Sequence, residues 1–240
     1  MPPPRFVLCV LGTWTSWDDL ERIVPEGWML DRDYAQLTPD PRMPRAFTAS
    51  ADRVMPSFTD ADTAAIEQHT AVAYLISPAI HHTTARATSR EALALIAAAL
   101  GAGGTAAKCE SSGIAHGATR WRELAAALGS EDPLEVAWAL KDAFVRRPIG
   151  DSPLLYSCGM HLLGERDVEI TRSDDIADDL RWLDLFLVFL LSEQPATGMQ
   201  PGEKFGIETG GARRALDHHA CTRFGDEDFM FNPFGYWRLA

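Results

Sequence analysis

The sequence predicts an α+β fold, a mixed or antiparallel sheet with helices packed on it, and three observations carry that prediction. Short apolar runs stopped by glycine or proline alternate with amphipathic runs in the first half, strand-like pieces succeed one another from 134 to 170, and one long apolar helix follows them. At 240 residues the chain suits either a single domain, 1–240, or two lobes, 1–128 and 132–240, that share one core. With 46% apolar residues, seven tryptophans and eleven phenylalanines, it has ample material for that core.

The elements follow in chain order. "RFVLCVLGT" (5–13) is apolar and ends at glycine, as a buried strand does. Ser16 with Asp19 forms a capping-box pair that starts a helix in "SWDDLERIV", because the two side chains satisfy backbone N–H groups that a helix start leaves free. Prolines at 25, 39, 41, 44 and 56 make 25–56 mostly loop, with a short strand near "RAFTAS". Thr59 with Asp62 opens a short helix through His69, and "AVAYLISP" (71–78) is a strand closed by proline. Thr88 with Glu91 caps "REALALIAAALG", whose apolar residues recur at helical spacing until Gly101. "GTAAKC" is a further apolar run, and the turn "ESSGIAHG" leads from it into the helix "ATRWRELAAALG".

In the second half, Leu134, Val136, Trp138 and Leu140 alternate with Glu135, Ala137, Ala139 and Lys141, which predicts a strand. "GDSP" (150–153) reads as a turn, "LLYSCGMHLLG" as a second strand and "DVEI" as a third, together an antiparallel meander. A helix from about Ser173 to Glu193 follows, with Asp174 and Asp175 in its first turn, where the helix dipole favours negative charge. "EKFGIET" and "FMFNPFGYWRLA" read as closing strands, while 209–228 reads as loop.

Charge narrows the range of partners. With 34 acidic and 22 basic residues the net charge is −12, which repels nucleic acid and anionic membrane surfaces and favours a basic protein partner. The longest apolar stretch, "WLDLFLVFLL", contains Asp184 and is shorter than the ~20 residues that cross a bilayer. The start "MPPPRFVLCVLG" lacks the small-residue cleavage site of a secretory signal, and four scattered cysteines without a CxxC pair suit reduced thiols, so a cytoplasmic protein without disulfides or cofactors is expected.

The stretches "HTAVAYLISP", "GTAAKCESSGIAHGATRW", "LEVAWALKDAFV", "LLYSCGMHLLGERDVEI" and "PGEKFGIETGG" together resemble the bacterial domain-of-unknown-function family 4261, over roughly residues 69–240. The resemblance implies an α+β fold and no established activity, and it brings no catalytic residues with it. Relatives of that family sit near secreted-toxin and immunity genes, so it implies a binding role as readily as an enzymatic one.

Four groups of residues are candidates for function. Cys109 with His116 could form a nucleophile and its base on a turn whose N–H groups hold an oxyanion, the chemistry of a small hydrolase or transferase; the glycines around His116 equally suit a plain structural turn. His82, His219 and Cys221 could meet around a metal through folding, although the sequence lacks ligand-pair spacing. His161 reads as a hydrogen-bonded histidine in a sheet. Asp226, Glu227 and Asp228 form an exposed acidic patch on a loop, suited to a basic partner. The reading favoured by charge and by the absence of a catalytic motif is a binding protein, of the immunity type that neutralises a basic toxin, with Asp226, Glu227 and Asp228 on its contact surface.

Overall fold

The computed structural model describes residues 3–50, 54–146, 153–193 and 198–240. It is an α+β protein with two five-stranded sheets. The first half contributes β1 (Val7–Gly12), α1 (Asp18–Glu21), β2 (Met29–Leu30), α2 (Met43–Thr48), α3 (Asp60–Glu67), β3 (Ala71–Ile76), α4 (Ala85–Gly101), β4 (Gly104–Cys109), β5 (Ile114–His116) and α5 (Ala118–Ala127). The second half contributes α6 (Pro133–Phe144), β6 (Leu154–Tyr156), a 3-10 turn (Met160–Leu163), β7 (Asp167–Thr171), α7 (Ile176–Glu193), β8 (Lys204–Gly206), β9 (Arg213–His219) and β10 (Tyr236–Leu239).

The first sheet, in the order β2-β3-β1-β4-β5, is antiparallel throughout. β1 is apolar at every position because both faces of its sheet are covered, the condition under which a strand reads as a continuous run and not an alternation. Leu8 and Val10 face the main core, while Cys9 and Leu11 face a smaller cluster with Met43, Phe47 and Ile66 from α2 and α3. The second sheet, β6-β7-β10-β9-β8, is mixed, since β10 lies parallel to β7 and every other pairing is antiparallel. α4, α5, α6 and α7 pack side by side, with α4 on β1 and β4 and α7 on β7. The main core is continuous, running from Leu8 and Ile96 through Phe144 to Phe186 and Trp237, so residues from both halves are buried together.

Several elements depart from the sequence reading. The alternating stretch 134–141 is helix: Asp132 accepts from the backbone N–H of Leu134 at 2.9 Å, Pro133 occupies the first turn, and the buried residues Ala137, Leu140, Lys141 and Phe144 follow the i, i+3, i+4, i+7 spacing of one helix face. Lys141 hid that periodicity. It is buried, with Nζ 3.0 Å from Asp184 and 3.1 Å from Asp142. The prolines around "RAFTAS" begin the short helix α2 where a strand was expected, with Pro44 in its first turn.

The capping box at Thr59 and Asp62 is present with both of its bonds. The pairs Ser16–Asp19 and Thr88–Glu91 do not cap: α1 is one turn long with no side-chain cap, and Thr88 and Glu91 lie inside α4. "LLYSCGMHLLG" is a three-residue strand followed by the 3-10 turn, which opens at Gly159 in a left-handed conformation that a side chain would strain, φ +119°. Residues 213–219, read as loop, form β9. The expected turn at "GDSP" lies largely outside the described residues. Among the described residues, no helix is long and apolar enough to cross a membrane.

Candidate functional site

The stretch that links β4 to α5 is a hairpin. Cys109 ends β4 opposite Ile114, and His116 stands opposite Ala107 on the added strand β5, so the expected turn from strand to helix first makes one more strand pairing. Gly113, with φ +69°, closes that turn. Both candidate catalytic side chains face the main core. Cys109 has no exposed surface, and burial pushes its thiol up to about 11. His116 Nε2 donates to the backbone carbonyl of Asp142 at 2.9 Å, its ring meets Trp121 edge to face at 4.9 Å, and burial pushes its pKa down to about 4. A thiolate and an imidazolium are both charged, and the surroundings favour the neutral form of each, which is a physical ground against an ion-pair nucleophile here.

The histidines and cysteine considered for a metal are spread around the second sheet. His82 packs its ring against Phe234, and His219 stacks on Tyr236 with Nε2 3.0 Å from Asp217, while Cys221 lies just beyond β9 and is partly exposed. No group of three or more His, Cys, Asp or Glu among the described residues is placed to hold a metal ion.

Asp226, Glu227 and Asp228 do come together with other parts of the chain. They sit on an exposed loop between β9 and β10 and line a pocket of about 280 Å³. Opposite them are Pro3, Pro4 and Arg5 before β1, with Phe229 and Phe231 on the loop itself and His161 and Ser111 also in the lining. The loop is folded on its own backbone: Asp228 N–H donates to the Gly225 carbonyl at 2.9 Å, Phe231 N–H to the Asp228 carbonyl at 3.0 Å, and the Asp228 carboxylate accepts from Met230 N–H at 2.8 Å. The Asp226 and Glu227 side chains have no hydrogen bond or ion pair among the described residues. Phe229 leaves 61% of its surface in solvent, a large apolar group held beside three carboxylates.

Two anchors fix this loop. At its far end, buried Asn232 donates from Nδ2 to Asp167 Oδ2 at 2.8 Å and to the Glu165 carbonyl at 3.0 Å, and Gly235 is required where a Cβ would stand 2.2 Å from the His219 carbonyl oxygen. At its near end, Arg223 lays its guanidinium 3.7 Å from the Tyr156 ring centroid and donates to buried Glu169 at 2.7 Å, whose other oxygen accepts from Arg238 at 2.5 Å. Asp167 is held by Ser157 and the Met160 N–H as well as by Asn232, yet burial outweighs those bonds and raises its carboxyl to about 6. His161, expected in a sheet, lies instead in the 3-10 turn against this loop, 1% exposed, and its buried Nδ1 has no hydrogen-bond partner among the described residues.

Sequence reasoning found the three acids and missed the pocket. Pro3, Arg5, Ser111 and His161 come to it from three separate segments, and nothing in their spacing links them to 226–228. Two wider and more open grooves exist, at Thr13–Ser16 with Gly101–Gly103 and along Trp138 and Leu185, and neither combines carboxylates, aromatic rings and a buried imidazole. No protein-family model, curated protein or solved structure matches the chain.

Proposed function

We infer that the protein is a binding module whose docking face is the loop 225–231 and the pocket beneath it, and that its partner is a basic protein. The observation that supports this most directly is the coincidence of Asp226, Glu227 and Asp228 with a pocket that also has aromatic walls. Carboxylates at the rim steer a cationic partner into encounter, and an exposed aromatic such as Phe229 supplies the apolar contact that holds it. The net charge of −12 acts in the same direction at long range. Neutralisation of a basic toxin, cytoplasmic in place, is the form of this reading that the resemblance to family 4261 suggests.

Affinity capture with the wild-type chain and with a variant carrying Asp226→Lys, Glu227→Lys and Asp228→Lys tests the proposal. A basic protein held by the first and lost by the second supports it. Equal capture by both, or a captured partner of acidic charge, overturns it.

A further inference from the structure

We propose that His69 is a pH-sensitive latch: its neutral ring holds the loop 37–42 and helix α2 against the first sheet, and its protonated ring releases them. His69 stands between α3 and β3 and is 4% exposed. Its Nδ1 lies 2.6 Å from the Ile66 carbonyl oxygen, and its Nε2 accepts from the backbone N–H of Asp40 at 2.9 Å. A backbone N–H only donates and a carbonyl only accepts, so the proton sits on Nδ1 and Nε2 carries a lone pair. Both bonds are therefore made by the neutral ring. Histidine is the side chain whose charge ordinarily changes between about pH 5 and 8. A proton added at Nε2 sets two N–H groups against each other and ends the bond to Asp40.

What the bond restrains makes it a latch. The segment 37–50 is tied to β3 at one end by the Gln36–Val72 bridge, and at the other by Ser50, whose hydroxyl donates to the Gly113 carbonyl in the turn between β4 and β5. Between those ends, and among the described residues, Asp40 N–H to His69 is the one hydrogen bond between oxygen or nitrogen atoms that leaves the segment. The other contacts are apolar: Met43 and Phe47 of α2 lie with Cys9, Leu11 and Ile66, and the Cys9 sulfur is 3.9 Å from that of Met43. Asp40 also starts α2. Its carboxylate accepts from Arg42 N–H at 2.9 Å and from the Arg42 guanidinium at 2.6 Å, and its carbonyl accepts from Met43 N–H at 3.1 Å. The charged and titratable groups around the bond do not replace it. The Asp40 carboxylate senses a charge on His69, but a protonated ring that turned to it would take it from Arg42 and from the start of α2. Tyr74 of β3 and Cys9 of β1 are both held neutral by burial, Lys108 and Glu110 of β4 pair at 2.8 Å, and Glu67 at the end of α3 is exposed. Protonation of His69 thus frees the middle of the segment, and α2 lifts from Cys9.

The test compares the full chain at pH 7 and pH 5. Hydrogen-exchange protection factors across 37–50 should be about tenfold or more lower at pH 5, with β1, β3 and β4 still protected. Cys9 reports the same opening: 4,4′-dithiodipyridine, which labels thiols in acid, should reach it at pH 5 while Cys109 stays closed. His69→Gln keeps an oxygen that can accept from Asp40 N–H and takes up no proton, so its segment should stay closed at both pH values. Nitrogen-15 correlation spectra of the wild-type ring give a readout that needs no variant. His69 should show Nδ1–H and a bare Nε2 at pH 7, and its protonation should coincide with loss of protection at the Asp40 amide. Protection of 37–50 that does not change with pH, strands that lose protection together with the segment, or a ring that charges while the Asp40 amide stays protected overturns the inference. Acid opening that persists in a His69→Gln variant closed at pH 7 overturns it as well. If that variant is already open at pH 7, the wild-type ring and the Asp40 amide decide the matter between them.

Discussion

Asn232 donates from Nδ2 to the Oδ2 of buried Asp167 across 2.8 Å, and this bond ties the acidic loop to the second sheet. Asn232 is itself 2% exposed, and its other donor contact reaches the Glu165 carbonyl, so one amide satisfies two groups that water cannot reach easily. Replacing it by alanine leaves a buried carboxyl and a carbonyl short of a donor. Asn232→Ala should cost about 1–3 kcal/mol of stability and raise hydrogen exchange across 226–231. Chemical denaturation and exchange mass spectrometry measure the two effects, and unchanged protection of the loop would show that the anchor lies elsewhere.

Acid should weaken the fold. Burial holds His116 and His161 at about 4, below the ordinary 6.5, so the unfolded chain takes up two protons that the folded chain refuses, and stability is lost as pH falls from 6.5 to 4. Asp167 works in the opposite sense. Its folded pKa of about 6 lies above the ordinary 3.8, so its contribution is fully present below 3.8 and is lost as pH rises through 6. Glu165, which burial also raises, works in the same sense as Asp167, so the two histidines leave a net loss of at most about 1.4 kcal/mol per pH unit between 6 and 4. The urea midpoint should be lower at pH 5 than at pH 7, and a higher midpoint at pH 5 would contradict this balance.

The four cysteines should separate by reactivity. Cys9 and Cys109 are fully buried with thiols pushed up to about 12 and about 11, and Cys158 is buried with its thiol raised well above the ordinary range, first by desolvation and then by the Asp167 charge. Cys221 is partly exposed. Iodoacetamide at neutral pH should label Cys221 in the native protein and the other three only after denaturation. Rapid native labelling of Cys109 would reopen the case for a nucleophile in that hairpin.

α7 should tolerate change on one side only. Phe186 has no exposed surface and packs against Phe189 and Phe205, so Phe186→Ala should cost about 3–5 kcal/mol. Leu185, one residue away, is half-buried and borders an open groove with Arg181 and Asp184, so Leu185→Asp should cost only about 1 kcal/mol. Equal melting losses for the two variants would place Leu185 in the core.

Association with a basic partner should slow as salt rises, because exposed charges are screened over about 8 Å at physiological ionic strength. Reversal of Asp226, Glu227 and Asp228 to lysine should lower the on-rate, and it should also raise the off-rate if the loop docks as well as steers. Stopped-flow or surface kinetics at several salt concentrations separates the two rates. Rates indifferent to salt and to the reversals would leave the acidity as a contribution to solubility.

Local chemistry determined a large part of this fold. Thr59 and Asp62 cap α3 because the two side chains and two backbone N–H groups lie within four residues of one another, and β1 reads as a buried strand because its own residues are apolar on both faces. α4 and α7 were legible for the same reason, since a helix long enough to cover several turns repeats its apolar face many times. Tertiary structure decided the remainder. Buried Lys141 disguised the helix at 133–144, because its charge is compensated by Asp184 on another helix. β9 carries the polar sequence "RRALDHH", and its hydrogen bonds come from β8 and β10, not from any apolar pattern of its own. The acids at 226–228 were visible as an exposed cluster, whereas the pocket below them is made by residues 3–5, 111 and 161, which no local rule connects. Burial and pairing across the chain are properties of distance in space. A sequence reports the types of its residues and their spacing along the chain, and only folding determines which of them share a cavity.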